Sequence, residues 1–232
     1  MKTLTIRLTA PLQSYGNEAT FERRTTGDYP SKSAVMGMLA AALGYSRDDQ
    51  RIQKLNSLQF AVRIDQHGKM MTDFQTVEWK SGTRKITYRD YLQDAVFVTA
   101  IGGKATEIEQ IEYALKHPHY ALFLGRRSNV PAGILKINEF IDMDPVSALK
   151  ALPWQASKWY QKRRRADKMV KVQLIADANL LSANTTSLIK DQVISFDSRD
   201  RRYTSRLVAA TQVELANPAF KQDTQHDAMA FL

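Results

Sequence analysis

The order of the hydrophobic periodicities constrains this chain more than any other feature. Over the first 124 residues they read strand, helix, strand, strand, helix, strand. Leu4, Ile6 and Leu8 alternate with Thr5, Arg7 and Thr9, the period of a strand with one face on a core. Ala34, Val35, Met38, Leu39, Ala42 and Leu43 recur at helical spacing, between start signals at Pro30 and Ser31 and a stop at Gly44. A shorter helix is expected over 48–55. Phe60, Val62 and Ile64 then alternate with Ala61, Arg63 and Asp65, and residues 95–101 read as the third strand. Gly102 and Gly103 turn into a helix marked by Ile108, Ile111 and Leu115 and closed by Pro118, and 120–124 reads as the fourth strand.

This order predicts an α+β chain whose N-terminal part is ferredoxin-like or split-βαβ. RRM-like RNA-recognition domains use that arrangement to present a sheet face to single-stranded RNA. The connection over 66–94 is too long for a compact hairpin and predicts a projection. Beyond Gly125 the pattern weakens: 134–141, 169–175 and 204–215 read as strands and 145–152 as a short helix. The expected organisation is a ferredoxin-like RNA-binding domain over 1–128 and a small, mainly β domain over 129–232.

Charge narrows the class of partner. The chain has 33 Lys+Arg against 24 Asp+Glu, a net +9, which favours contact with a polyanion. With no cysteine there is no disulfide and no thiolate ligand. The sequence holds no GxxxxGK[ST], GxGxxG or HExxH pattern, so neither a cofactor nor a metal is expected. The opening MKTLTIRLTA alternates polar and apolar residues, and the apolar run around Val35 to Leu43 is too short to span a bilayer. A cytoplasmic protein without membrane contact is expected.

Four constellations carry candidate chemistry. Pro11-Leu12-Gln13-Ser14-Tyr15-Gly16, with Arg23 and Arg24, precedes Ser31-Lys32-Ser33 at a helix start. Lys32 and the hydroxyls there could seat a phosphate at the positive end of the helix dipole. Gln13 could read a base edge and Tyr15 could stack, or these residues only cap and pack. Leu124-Gly125-Arg126-Arg127-Ser128 offers a close backbone approach and two guanidinium forks, or plain solvated surface. In the insertion, Trp79, Lys80, Arg84, Lys85, Tyr88 and Arg89 interleave rings with cations, fit for stacking bases or for stapling a hairpin across its strands. Residues 158–171 hold seven cations against Asp167 alone, a run that suits an RNA backbone, an acidic neighbour or open solvent. Arg199, Arg201, Arg202 and Arg206 form a second such cluster.

A catalytic alternative rests on Lys116, His117 and His119, residue types that metal-independent RNA cleavage can use as acid, base and phosphorane cation. Two histidines in a surface turn before and after Pro118 is the simpler reading.

Taken together, PLQSYG, SKSAVMGMLAAALG with RDD after it, YRDYLQDAVF and YALFLGRRS resemble, in order and spacing, the CasD family of the type I-E CRISPR surveillance complex, Cascade. The likeness is good over residues 1–130 and weak through DQVISFDSRDRRYTSR. It implies a ferredoxin-like domain with a thumb-like insertion, about 75–91 here, and a small β domain. It also implies a non-catalytic subunit that grips the 5′ handle of the guide RNA (crRNA) and caps the backbone assembly in antiviral defence. The implied partners are a backbone subunit and the large subunit, with target DNA met indirectly. Carried onto this chain, Gln13, Ser14, Tyr15, Lys32, Ser33, Tyr120, Phe123, Leu124, Gly125, Arg126 and Arg127 fall on positions expected to meet the handle. Relatives in another CRISPR subtype process the guide themselves, which keeps the endoribonuclease alternative. Tyr15 stands where the family commonly has Trp, and the insertion looks short.

Overall fold

The computed structural model describes residues 1–16, 22–182 and 185–221. Its elements are β1 (Lys2–Thr9), β2 (Leu12–Gln13), β3 (Arg23–Arg24), α1 (Lys32–Ala42), α2 (Arg51–Lys54), β4 (Gln59–Gln66), β5 (Lys69–Lys80), β6 (Thr83–Gln93), β7 (Val96–Gly103), α3 (Ala105–Lys116), β8 (Lys136–Ile141), α4 (Pro145–Ala151), α5 (Lys158–Arg163), β9 (Met169–Asp177), β10 (Thr186–Ser195) and β11 (Arg202–Ala216). Seven strands form one sheet in the order β10-β11-β9-β4-β7-β1-β8. Every neighbouring pair in it is antiparallel.

The alternation read in the sequence sorts residues between two covered faces. Leu4, Ile6, Leu8, Phe60, Val62 and Ile64 point to a core shared with Val35, Met36 and Leu39 of α1 and Ile108 and Ile111 of α3. On the other face Ala61, Val98, Ala100, Leu174 and Ala176 pack against Val146, Leu149 and Leu152 on and just after α4. That helix starts where Asp144 accepts from the N–H groups of Val146 and Ser147, with Pro145 in the first turn. The face expected to be wet is therefore dry, and its polar residues are paired. Arg63 and Asp65 are both 0% exposed and joined by a two-point fork of 2.6 and 2.8 Å. Arg63 also donates to the carbonyls of Leu149, Leu152 and Pro153, and Asp65 accepts from the N–H of Gln155.

Two expectations need correction. Residues 120–124 are not a strand: the place beside β1 is taken by β8, in register Ile6↔Ile137. The Leu124 backbone is committed elsewhere, its N–H to Asn129 and its carbonyl to the N–H of Ser14. The described residues from 129 onward build no sheet of their own. Their strands extend the shared sheet at both ends, β8 on β1 and β9, β11 and β10 beyond β4.

The long connection is a hairpin, β5 on β6, joined by a turn at Ser81 and Gly82 with Gly82 at φ +75°. Residues 76–86 are all exposed. The root of the hairpin is fastened by β2, antiparallel, and β3, parallel, both on β6. No helix among the described residues is long and apolar enough to cross a membrane.

Candidate nucleic-acid interface

The first and second constellations meet at the hairpin root. The Ser14 N–H donates to the Leu124 carbonyl, so the loop after β1 lies against the loop holding Gly125. Contact there is close enough that a Cβ on Gly125, whose φ is +88°, would fall 1.5 Å from the Ser14 carbonyl oxygen. Only glycine fits. The turn hands the chain to Arg126, which donates to the Arg24 carbonyl at 2.7 Å and lays its guanidinium over the Tyr91 ring, 4.4 Å from the centroid.

Arg89 stands two residues before Tyr91 and therefore on the same face of β6. Its Nε, and Nη1 of Arg126, are buried donors that meet no acceptor among the described residues. Buried guanidinium N–H groups cost free energy when unpaired, so each of these donors at the hairpin root marks a place suited to an anion. Asp90, on the opposite face, organises the same root: its side chain accepts from Thr72 at 2.7 Å and Arg23 at 3.4 Å, and its carbonyl accepts from Ser14 Oγ. The Thr72 hydroxyl, then Arg23, hold the Asp90 carboxyl below the usual carboxylate range. Arg89 was a candidate as one of the cations of the insertion, but Tyr91 and Asp90 were not singled out from sequence. Their signal was the YRDY string itself, since alternation puts Arg89 and Tyr91 on one side of the strand and Asp90 on the other.

Several expected contacts point inward. Gln13 is 0% exposed, its Nε2 donating to the Ala95 carbonyl and its Oε1 accepting from the Tyr15 hydroxyl at 2.7 Å. Tyr15 is buried edge-on to Phe97, and burial pushes its hydroxyl pKa up. Neither side chain is free to read or stack on a base, and Ser14 turns its hydroxyl to Asp90. The anion seat at the start of α1 is filled from within: the Lys32 N–H donates to Asp191 at 2.7 Å and its ammonium pairs with Asp177 at 3.1 Å. Burial lowers the Lys32 pKa against the pull of Asp177. Arg206, expected in a basic surface cluster, is buried in the same network between Asp177 and Asp191. Ser31 caps α1 by accepting from the Ala34 N–H, and Ser33 lies within 3.2 Å of it, hydroxyl to hydroxyl.

Other expected residues do face solvent. Trp79 is 69% exposed at a bulge beside the turn, so it does not staple the two strands. Phe74 and Tyr88 are directly opposed across the hairpin, and Ile86 follows on the same side. All three are exposed. Lys80 is exposed, while Arg84 pairs with Glu78 and Lys85 with Glu22 on the surface. Arg127, Ser128 and Tyr120 are exposed, Phe123 is half-buried and Leu124 is buried.

These loops, the fastened hairpin and the sheet behind them belong to a known architecture. Over residues 3–209 the chain matches the family described as CRISPR-associated protein (Cas_Cas5). The chain belongs to the Cas5 family. A curated relative, the CRISPR system Cascade subunit CasD of Escherichia coli (strain K12), is 37% identical over 147 residues. That stretch is 54% of this chain and 65% of the relative, so it spans a little under two thirds of the relative's length. Among solved structures, a chain of a CRISPR RNA-guided surveillance complex is 31% identical with a TM-score of 0.75, covering 98% of this chain and 96% of that one. A crystal structure of a Cas protein is 29% identical with a TM-score of 0.69, covering 95% and 98%.

In this Cas5-family chain the residues of the catalytic alternative turn to separate neighbours. Lys116 pairs with Glu112 at 2.8 Å, one helical turn back. His117 places Nδ1 3.1 Å from the Tyr113 carbonyl oxygen and its ring against Tyr113. His119 packs edge-on to Tyr120 and beside Gly44. No group of three His, Asp or Glu side chains among the described residues is arranged to hold a metal.

Proposed function

We propose that this Cas5-family chain is a non-catalytic, RNA-binding subunit of a type I-E CRISPR surveillance complex in the cytoplasm, gripping the 5′ handle of the guide RNA and capping the backbone assembly. The observation that carries the reading is the pair of buried, unaccepted donors on Arg89 and Arg126 at the hairpin root. Phosphate oxygens of a bound strand would accept from these donors and relieve their desolvation. Arg127, one residue on and exposed, supplies a further cation to the same strand of RNA. The ferredoxin-like reading is supported by the strand order β8-β1-β7-β4 with α1 and α3 on one face. The thumb is the hairpin, whose Trp79, Phe74 and Tyr88 offer rings to bases or to a neighbouring backbone subunit. The large subunit and, through the assembly, target DNA complete the partners.

Replacing Arg126 and Arg127 together by Ala is expected to weaken RNA binding. It should also lower the slope of log K against log salt by about 1.4 units if each arginine holds one phosphate of a single strand. Fluorescence titrations over a salt series measure the slope, and a thermal melt checks that the variant is folded. An unchanged slope in a folded variant would put the pair outside the RNA path.

A further inference from the structure

The basic run over 158–171 is not absorbed by the hairpin-root site. Arg164 pairs with Asp167 and Lys171 with Glu214. Lys158, Lys162, Arg163, Arg165 and Lys168 are exposed and show no acidic partner among the described residues. Five exposed cations on one short stretch repel each other, and a ligand of opposite sign relieves that repulsion.

The run is also built rather than loose. Gln161 donates to the carbonyls of Ala156 and Trp154 at 3.0 and 3.3 Å. Asn217, buried, donates from its side chain to the Arg164 and Gln161 carbonyls and from its backbone to Lys168. The Lys221 N–H reaches the Arg165 carbonyl at 3.0 Å. Tyr160 packs edge-on to both Trp154 and Trp159, and Trp159 remains 52% exposed one helical turn from Arg163. A ring beside cations on a fixed backbone suits a polynucleotide better than an acidic peptide.

Its position fits as well. Ser157, the residue before α5, donates from its N–H and its hydroxyl to Oε1 of Gln66, the last residue of β4. Three residues later β5 begins, so α5 and the hairpin leave the same end of the sheet.

We propose that α5 and the turn after it form a second nucleic-acid surface, which holds a sugar–phosphate backbone without reading sequence. It goes beyond the handle site and uses none of its residues. The test compares the full chain with a Lys158→Gln, Lys162→Gln, Arg163→Gln variant on two probes, a short single-stranded RNA without repeat sequence and a short DNA duplex, across a salt series. The changes are on exposed side chains, and a thermal melt confirms folding. The expected result is a slope lower by about 2 units on the single strand or about 3 on the duplex. The Arg126→Ala, Arg127→Ala variant should keep this contribution, which separates failure here from failure of the handle reading. The source is distinguished by Trp159→Ala, which should weaken single-strand binding about tenfold through lost stacking and leave duplex binding unchanged. Wild-type slopes on both probes, or poly-glutamate bound as tightly as either nucleic acid, would overturn the proposal.

Discussion

Replacing Arg63 by Ala is expected to cost about 3–5 kcal/mol of folding stability, because it strands a fully buried carboxylate and removes the donor from three carbonyls. The pair joins β4 to the chain around α4, so its loss should loosen the face of the sheet that α4 covers. Arg63→Lys should rescue little, since an ammonium cannot reproduce the two-point fork to Asp65 together with the carbonyl contacts. The double change Arg63→Met, Asp65→Leu should be milder than Arg63→Ala, because it leaves no unpaired charge. Burial already pushes the Asp65 carboxyl up, with Arg63 opposing it. Without Arg63 the folded state binds a proton more tightly than the unfolded state. The penalty in Arg63→Ala should therefore grow as pH rises from the unfolded carboxylate value, about 3.9, through the raised folded value. Urea unfolding at several pH values measures this. A loss under about 1 kcal/mol, or one independent of pH, would contradict the account of the pair.

The second large effect is expected at Gly125. A methyl group there meets the Ser14 carbonyl oxygen at 1.5 Å, and neither partner is a flexible side-chain end. Gly125→Ala must part the two loops, move Arg126 off Tyr91 and break the hairpin root. RNA affinity should fall at least tenfold, with a stability loss on the order of 3 kcal/mol. Gly133→Ala is the matched control: its φ is also positive, at +80°, but nothing lies within 4 Å of the added carbon. It should cost only the roughly 1–2 kcal/mol of left-handed backbone and leave RNA binding intact. If the two variants behaved alike in both assays, the loop contact would not be what organises the site.

The elements with strong local periods were legible in the sequence. Leu4-Ile6-Leu8, Val35-Met38-Leu39-Ala42 and Ile108-Ile111-Leu115 carry their structure in their own spacing, while the insertion was legible by its length, which predicted a projection, and β5 and β6 pair there. What failed depended on partners far along the chain. Residues 120–124 form a short apolar run such as buried strands have, yet the Leu124 backbone is used by Ser14 and Asn129. KINEFI was read as a strand, but its place beside β1 could not be read from local pattern. Arg63 and Asp65 looked like a wet face because the helix that covers them comes some 80 residues later. Lys32 looked like a phosphate seat because Asp177 and Asp191, which occupy it, lie about 150 residues away. For the site, GRRS and PLQSYG were each read as candidates, and their contact through Ser14 and Leu124 lay beyond local pattern. Which side chains look outward was not legible: Gln13 and Tyr15 satisfy one another inside, and the orphan donors belong to Arg89 and Arg126.

The most direct test of the central reading is a nucleotide-resolution nuclease footprint of 5′-end-labelled guide RNA in the reconstituted surveillance complex, with and without this chain. The account predicts that the 5′ handle is protected only when the chain is present, that the RNA stays uncut, and that Gly125→Ala loses the protection. Protection of the handle without the chain, or cleavage of repeat RNA by the chain alone, would contradict it.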